Sequence, residues 1–214
     1  MSITTPSKNK IASFLKSYGP SRIKKLLWEK EFSGGQWDFI DNTMGDCVYE
    51  NLEKWARNGS ILDLGCGPGN TANELDAKVY QHYVGIDISE TALEKARKRT
   101  ITNGREGKNI FVQSDFVTYT PLEKFDVILF RESIYHVPMS KIKDTLDRFS
   151  NYLKDGGVLM VRMFTADKDS GGKEKPRPAA MIKIMEDEFN VIEKNQYDDE
   201  RHPTVIVLRP RRRT

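Results

Sequence analysis

Three glycines and three acids, set at the ends of short apolar runs, are the residues best placed to do chemistry. Gly65, Gly67 and Gly69 alternate with Cys66 and Pro68 directly after Ile61-Leu62-Asp63-Leu64. Without side chains they tolerate positive φ and let a ligand approach the main chain closely, although a plain structural turn is the other reading. Asp87 ends a second apolar run, Val84-Gly85-Ile86. A carboxylate there can accept hydrogen bonds from both hydroxyls of a ribose. It can also be an acid favoured by a helix N-terminus, with Ser89 as N-cap. Asp115 ends a third run, Asn109 to Ser114, where an acid is also a common turn former. Asp63, Asp87 and Asp115 at three successive strand ends are harder to explain as turns.

The elements that must position these residues are legible in the apolar pattern. Continuous short runs ending in acids read as buried parallel strands, and the carboxyl ends of such strands are where nucleotide-like ligands bind. Phe125 to Phe130 reads as a fourth strand, followed by Arg131-Glu132-Ser133-Ile134-Tyr135-His136. Ile142, Leu146, Phe149 and Leu153 recur at helical spacing and predict a helix that Asp155-Gly156-Gly157 ends, glycine supplying the left-handed stop. Val158 to Val161 reads as a fifth strand. Two loop types are excluded. The dinucleotide fingerprint needs a third glycine where Asn70 stands, and the P-loop needs a lysine that is absent here.

Asp63-Leu64-Gly65-x-Gly67-x-Gly69, the acids Asp87 and Asp115, and Leu153-Lys154-Asp155-Gly156-Gly157-Val158-Leu159 resemble the class I S-adenosylmethionine-dependent methyltransferases, small-molecule type. The resemblance covers roughly residues 44 to 164. It implies a Rossmann-like α/β methyltransferase fold: a central, mostly parallel seven-stranded sheet with helices on both faces, closed by strands near 190–196 and 204–208. It implies S-adenosyl-L-methionine as cofactor and S-adenosyl-L-homocysteine as product. In that family the glycine loop wraps the methionine moiety, the second acid meets the ribose, and the third meets the adenine amino group. The implied cofactor set here is Asp63, Gly65, Cys66, Gly67, Gly69, Asp87, Ile88, Ser114, Asp115, Phe116, Arg131 and Trp37. The implied reaction is methyl transfer to an oxygen or nitrogen of a metabolite, natural product or glycan precursor. His136 follows the fourth strand, where its imidazole could accept a proton near neutral pH or anchor the substrate, with Tyr135 and Glu132 orienting it. A helix cap or a bond to a carbonyl is the plain alternative for His136, and packing for the other two. The segment lacks the [DN]-P-P-[YFW] pattern of amino-directed nucleic-acid enzymes, a cysteine nucleophile, and the paired glutamates of arginine methyltransferases. Asp126 and Asp144 make no persuasive metal set, so none is expected. A catalytically silent cofactor-binding module, or a methyltransferase acting on RNA or protein, stays open as an alternative.

Composition sets no obstacle. The chain has 214 residues with 34 basic and 31 acidic ones, a net charge of +3, so nucleic acid has no strong electrostatic claim on it. No apolar run approaches the ~18 residues of a membrane span. Cys47 and Cys66 form neither a disulfide framework nor a metal site; Cys66 reads as a small loop residue rather than a reactive thiol. The expected location is the cytoplasm, and the oligomeric state is left open. Residues 1–43 are expected to form a helical, aromatic cap and residues 44–214 the core. Lys8 to Lys16 and Ser21 to Lys30 read as short basic helices. Trp28, Phe32, Trp37 and Phe39 are dense aromatics, and Phe32 to Asn42 then forms either a hinged cap over cofactor and substrate or a packed extension. Val48, Leu52 and Trp55 mark a helix feeding the first strand. Lys168 to Pro178 reads as an irregular loop, and Arg209 to Arg213 as a solvated basic end.

Overall fold

The computed structural model of the protein describes residues 8–40, 42–165, 176–199 and 202–211. Helices α1 (Lys8–Tyr18), α2 (Ser21–Ser33) and α3 (Val48–Ala56) precede strand β1 (Gly59–Leu64). Then come α4 (Asn70–Glu74), β2 (Tyr80–Asp87), α5 (Glu90–Thr102), β3 (Asn109–Gln113) and β4 (Phe125–Arg131). The chain closes with α6 (Ile142–Ser150), β5 (Leu153–Phe164), α7 (Pro176–Glu188), β6 (Phe189–Gln196) and β7 (Pro203–Pro210). The strands form one seven-stranded sheet in the order β3-β2-β1-β4-β5-β7-β6. Only β7 runs antiparallel to its neighbours. Strand order reverses direction at β1, which lies between β2 and β4, so a crevice opens at the carboxyl ends of these strands.

Alternation along each strand builds two cores. Leu62, Leu64, Ile128, Phe130, Leu159 and Val161 pack with Ile142, Leu146 and Phe149 of α6 and with Met181 and Met185 of α7. Ile61, Val127, Leu129, Val158 and Met160 point the other way, against Val48 and Leu52 of α3. This is the two-residue period of a sheet covered on both faces. No helix among the described residues is long and apolar enough to cross a membrane.

Four local expectations need correction. Helix α6 stops at Ser150, and Leu153 pairs with Phe125 as the first residue of β5. Asp155-Gly156-Gly157 therefore lies inside β5, where Gly156 (φ +77°) forms an irregularity rather than a helix stop. Pro176 to Pro178 open α7, since N–H groups in a first helical turn make no intrahelical bond that proline would forfeit; residues 166–175 lie outside the described part. The basic end is not freely solvated: Arg209 donates to the Gly156 and Gly157 carbonyls, and Arg211 to those of Glu186 and Phe189. Residues 212–214 lie outside the described part.

Candidate active site

Short-range sterics shape the glycine loop after β1. Gly65, Gly67 and Gly69 have φ of +84°, +52° and +74°, a region that favours glycine. A Cβ on Gly65 would stand 2.6 Å from the Ser133 Cβ, and one on Gly69 would stand 2.6 Å from the Ala96 Cβ. The amides of Gly65 and Cys66 donate to the Ile86 carbonyl at 2.8 and 3.0 Å, tying the loop to β2. Asp87, at the tip of β2, accepts from the Gly67 amide at 2.8 Å and from the Ser89 amide at 2.9 Å. Burial nonetheless pushes its pKa up to about 6, against the pull of those amides. Asp63 sits beneath the loop, only 1% exposed; its Oδ2 accepts from the Tyr83 hydroxyl at 2.7 Å and its Oδ1 has no partner. Burial raises its pKa too.

Above the strand tips lies a cavity of about 160 Å³. The sequence-predicted residues Gly65, Gly67, Asp87, Ile88, Asp115, Phe116, Arg131, Glu132, His136 and Trp37 line it. Asp63, Cys66, Gly69, Ser114 and Tyr135 lie outside that lining. Cys66 is buried under the loop, where desolvation pushes its thiol pKa well up and keeps it protonated. The Ser114 amide donates to the Asp87 carbonyl, fixing the β3 tip beside β2.

The segment after β4 differs from expectation in its proton chemistry. Tyr135 turns its hydroxyl onto the Phe164 carbonyl at 2.8 Å, and burial moves its pKa far up. Glu132, at φ +54°, pairs with Arg162 at 2.5 Å; burial raises its pKa against that partner. His136 does not titrate near neutrality. Burial, with Lys16, Arg177 and Lys24 adding positive charge around it, lowers its pKa to about 4. Its ring meets Trp28 edge-on, with centroids 4.7 Å apart. Arg131 is held by Asp46 at 2.9 Å and by the Tyr49 hydroxyl at 3.1 Å. Asp46 also takes Arg162 at 2.9 Å, so one carboxylate joins the tips of β4 and β5 to the start of α3. Burial alone would raise the Asp46 pKa, but the two guanidinium groups outweigh it and leave it lowered.

Helix α2 confronts the cavity with Lys24, which sequence reasoning missed, and with aromatics it had only as part of a cap or packed extension. Lys24, Trp28 and Phe32 form one stripe at four-residue spacing, and all three line the cavity together with Lys16 from α1. A lysine in register with two aromatics was the available signal. The Lys24 ammonium lies 3.3 Å from Asp115, and the Ser21 hydroxyl donates to the same carboxylate oxygen at 2.8 Å. Glu29, on α2, accepts from the Ser89 hydroxyl and the Glu90 amide at 2.9 Å and from the Thr91 amide at 3.2 Å, capping α5. Phe39 points away and is 69% exposed.

Residues 31–210 match a family described as a methyltransferase domain. Among curated proteins, the chain is 34% identical over 150 residues to a probable thiol methyltransferase of Arabidopsis thaliana, covering 68% of this chain and 64% of that protein. It is 36% identical over 104 residues to a trans-aconitate 2-methyltransferase of Rhizobium rhizogenes, covering 48% of this chain and 37% of that one. The chain thus spans less than two thirds of the length of these relatives. In fold it is similar to the N-methyltransferase NodS of Bradyrhizobium japonicum in complex with S-adenosyl-L-homocysteine, with a TM-score of 0.65 and 18% identity over 85% of this chain and 97% of that one. By family match and by strand order, the chain belongs to the methyltransferase-domain family of class I S-adenosylmethionine-dependent methyltransferases.

Proposed function

We propose that this protein transfers a methyl group from S-adenosylmethionine to a small molecule bound beneath α2. One observation carries the reading: Gly65, Gly67, Asp87 and Asp115, from three strand tips, converge on a single cavity. The residues also fit the cofactor on their own terms. Ser133 lines the cavity with a buried hydroxyl that has no partner. The Phe32 ring covers Gly67, 3.9 Å from where a Cβ would stand, so a ligand over this loop lies under α2. A buried polar group without a partner is costly, and a ligand that pairs it recovers that loss.

The bound cofactor supplies an electrophilic methyl carbon on a sulfonium sulfur. The protein's part is to hold the two reactants in line and exclude water, which can supply much of the rate. In this reading Asp87 holds the ribose, Asp115 the adenine end, and the glycine loop, free of side chains at Gly65 and Gly67, lies against the amino-acid end. Residues 1–43 act as a cap on a core formed by 44–214. Ligand pockets usually measure ~300–1,000 Å³, so a cavity of about 160 Å³ must widen by movement of α2. Seating the adenine requires Ser21 and Lys24 to give up Asp115.

Titration calorimetry with S-adenosyl-L-homocysteine tests the reading. The wild-type protein should bind it, and Asp87→Asn should weaken binding at least ~10-fold by removing a charged acceptor. Folded wild-type protein that takes up no S-adenosyl-L-homocysteine would overturn the assignment. Turnover of S-adenosyl-L-methionine against a panel of metabolites then separates an enzyme from a silent module.

A further inference from the structure

The acceptor end of the cavity has an unusual charge balance. Lys16 and Lys24, with side chains only 12% and 10% exposed, both line it. The Lys16 ammonium stands 4.0 Å above the Trp28 ring and pairs with Glu31. Arg177 donates to the Tyr135 and Val137 carbonyls, on either side of His136. The charged groups that act most on His136 are therefore all positive. Glu132 is tied to Arg162 and Tyr135 donates to a carbonyl, and His136, buried beside three cations, is a weakened base. An alcohol would find only that weakened imidazole to take its proton. A protonated amine would enter a cationic field.

Resting on the methyltransferase reading above, we propose that the acceptor is a small anion, a thiolate or a carboxylate, held by the ammonium of Lys16 with its apolar body against Trp28, Phe32 and Trp37. Such an acceptor needs no base. Its lone pair forms the new bond to the methyl carbon, and the old carbon–sulfur bond breaks with its electron pair going to sulfur. The negative charge of the acceptor and the positive charge of the sulfonium are both consumed, and no proton is left over. Nearby cations also favour the ionised form of a thiol, whose unperturbed pKa of ~8.5 would otherwise leave it mostly protonated at neutral pH. Opposite charges attract strongly in a poorly solvated cavity and vanish together in the product, which assists release. Lys24 joins the anion-binding side once the cofactor takes Asp115 from it.

Four probes of similar size and different head group decide the matter: thiophenol, benzoate, benzylamine and benzyl alcohol. Each is titrated into wild-type protein saturated with S-adenosyl-L-homocysteine. Thiophenol, benzoate or both should bind at least ~10-fold more tightly than the amine and the alcohol. Lys16→Met should remove most of that preference, and Lys16→Arg should restore it. S-Adenosyl-L-homocysteine affinity should stay within about twofold in both variants. Methylation of thiophenol alone would name a sulfur acceptor, and of benzoate alone a carboxylate; either supports the proposal. Equal or absent binding across the four probes overturns it while leaving the cofactor reading intact. Failure of the wild-type protein to bind S-adenosyl-L-homocysteine removes both.

Discussion

Asp87 and His136 face the same cavity and are perturbed in opposite senses, each toward its neutral form. The Asp87 pKa is raised to about 6 by burial, so its folded state holds a proton that the unfolded chain releases between pH ~4 and 6. Stability from this residue is gained as pH falls through that window. The His136 pKa is lowered to about 4, below its ordinary value. Its neutral form contributes fully above pH ~6.5, and the contribution is lost as pH falls toward 4. At pH 5 the histidine alone would remove up to ~2 kcal/mol, and Asp87 would return about 1 kcal/mol. Urea unfolding of wild type and His136→Gln at pH 7 and pH 5 isolates the histidine. The wild type should lose about 2 kcal/mol more than the variant over that interval. Parallel pH dependence in the two proteins would mean that His136 titrates normally.

Among the elements, α2 couples the cofactor end of the cavity to the acceptor end. Its Ser21 and Lys24 hold Asp115, its Trp28 and Phe32 form a wall, and its Glu29 caps the N-terminus of α5. Burial would raise the Glu29 pKa, but the hydrogen bonds from Thr91, Ser89 and Glu90 prevail and lower it. A carboxylate at a helix N-terminus satisfies orphan amides and complements the dipole. Glu29→Ala should therefore destabilise the protein by ~1–2 kcal/mol. It should also speed amide hydrogen exchange in α2 and in the first turn of α5. Unchanged exchange in both segments would show that Glu29 does not latch the helix. The aromatic stripe of α2 was visible in the sequence, whereas its direction toward the glycine loop was not, because helical periodicity defines a face but not its partner.

At the scale of the whole molecule, one buried carboxylate fastens the sheet where the cavity opens. Asp46 lies between Arg131 and Arg162, each at 2.9 Å, joining segments 85 and 116 residues away in sequence. Removing it would leave two buried guanidinium groups facing each other with less compensation. Asp46→Ala should cost about 3–5 kcal/mol in chemical denaturation, the usual range for breaking a buried pair from one side. A loss below ~1 kcal/mol, the ordinary surface value, would place this node outside the stability of the fold.

The features legible in the sequence were those set by short-range rules. Alternating or continuous apolar runs marked β1 to β4, because a buried strand has to present apolar side chains to its neighbours. The glycines after β1 marked a loop that needs positive φ, and Ser89 announced the start of α5. Where two local signals competed, the longer-range contact decided. Leu153 fits the apolar spacing of α6, yet pairing with Phe125 places it in β5. Pro176 and Pro178 read as breakers, yet they open α7. The charge partnerships around the cavity were tertiary. Which lysine reaches Asp115, which acid joins Arg131 to Arg162, and how many cations crowd His136 all follow from strand order and helix docking. Those arrangements bring together groups that no local periodicity relates, and they decide protonation because electrostatic energies depend on distance and burial in space.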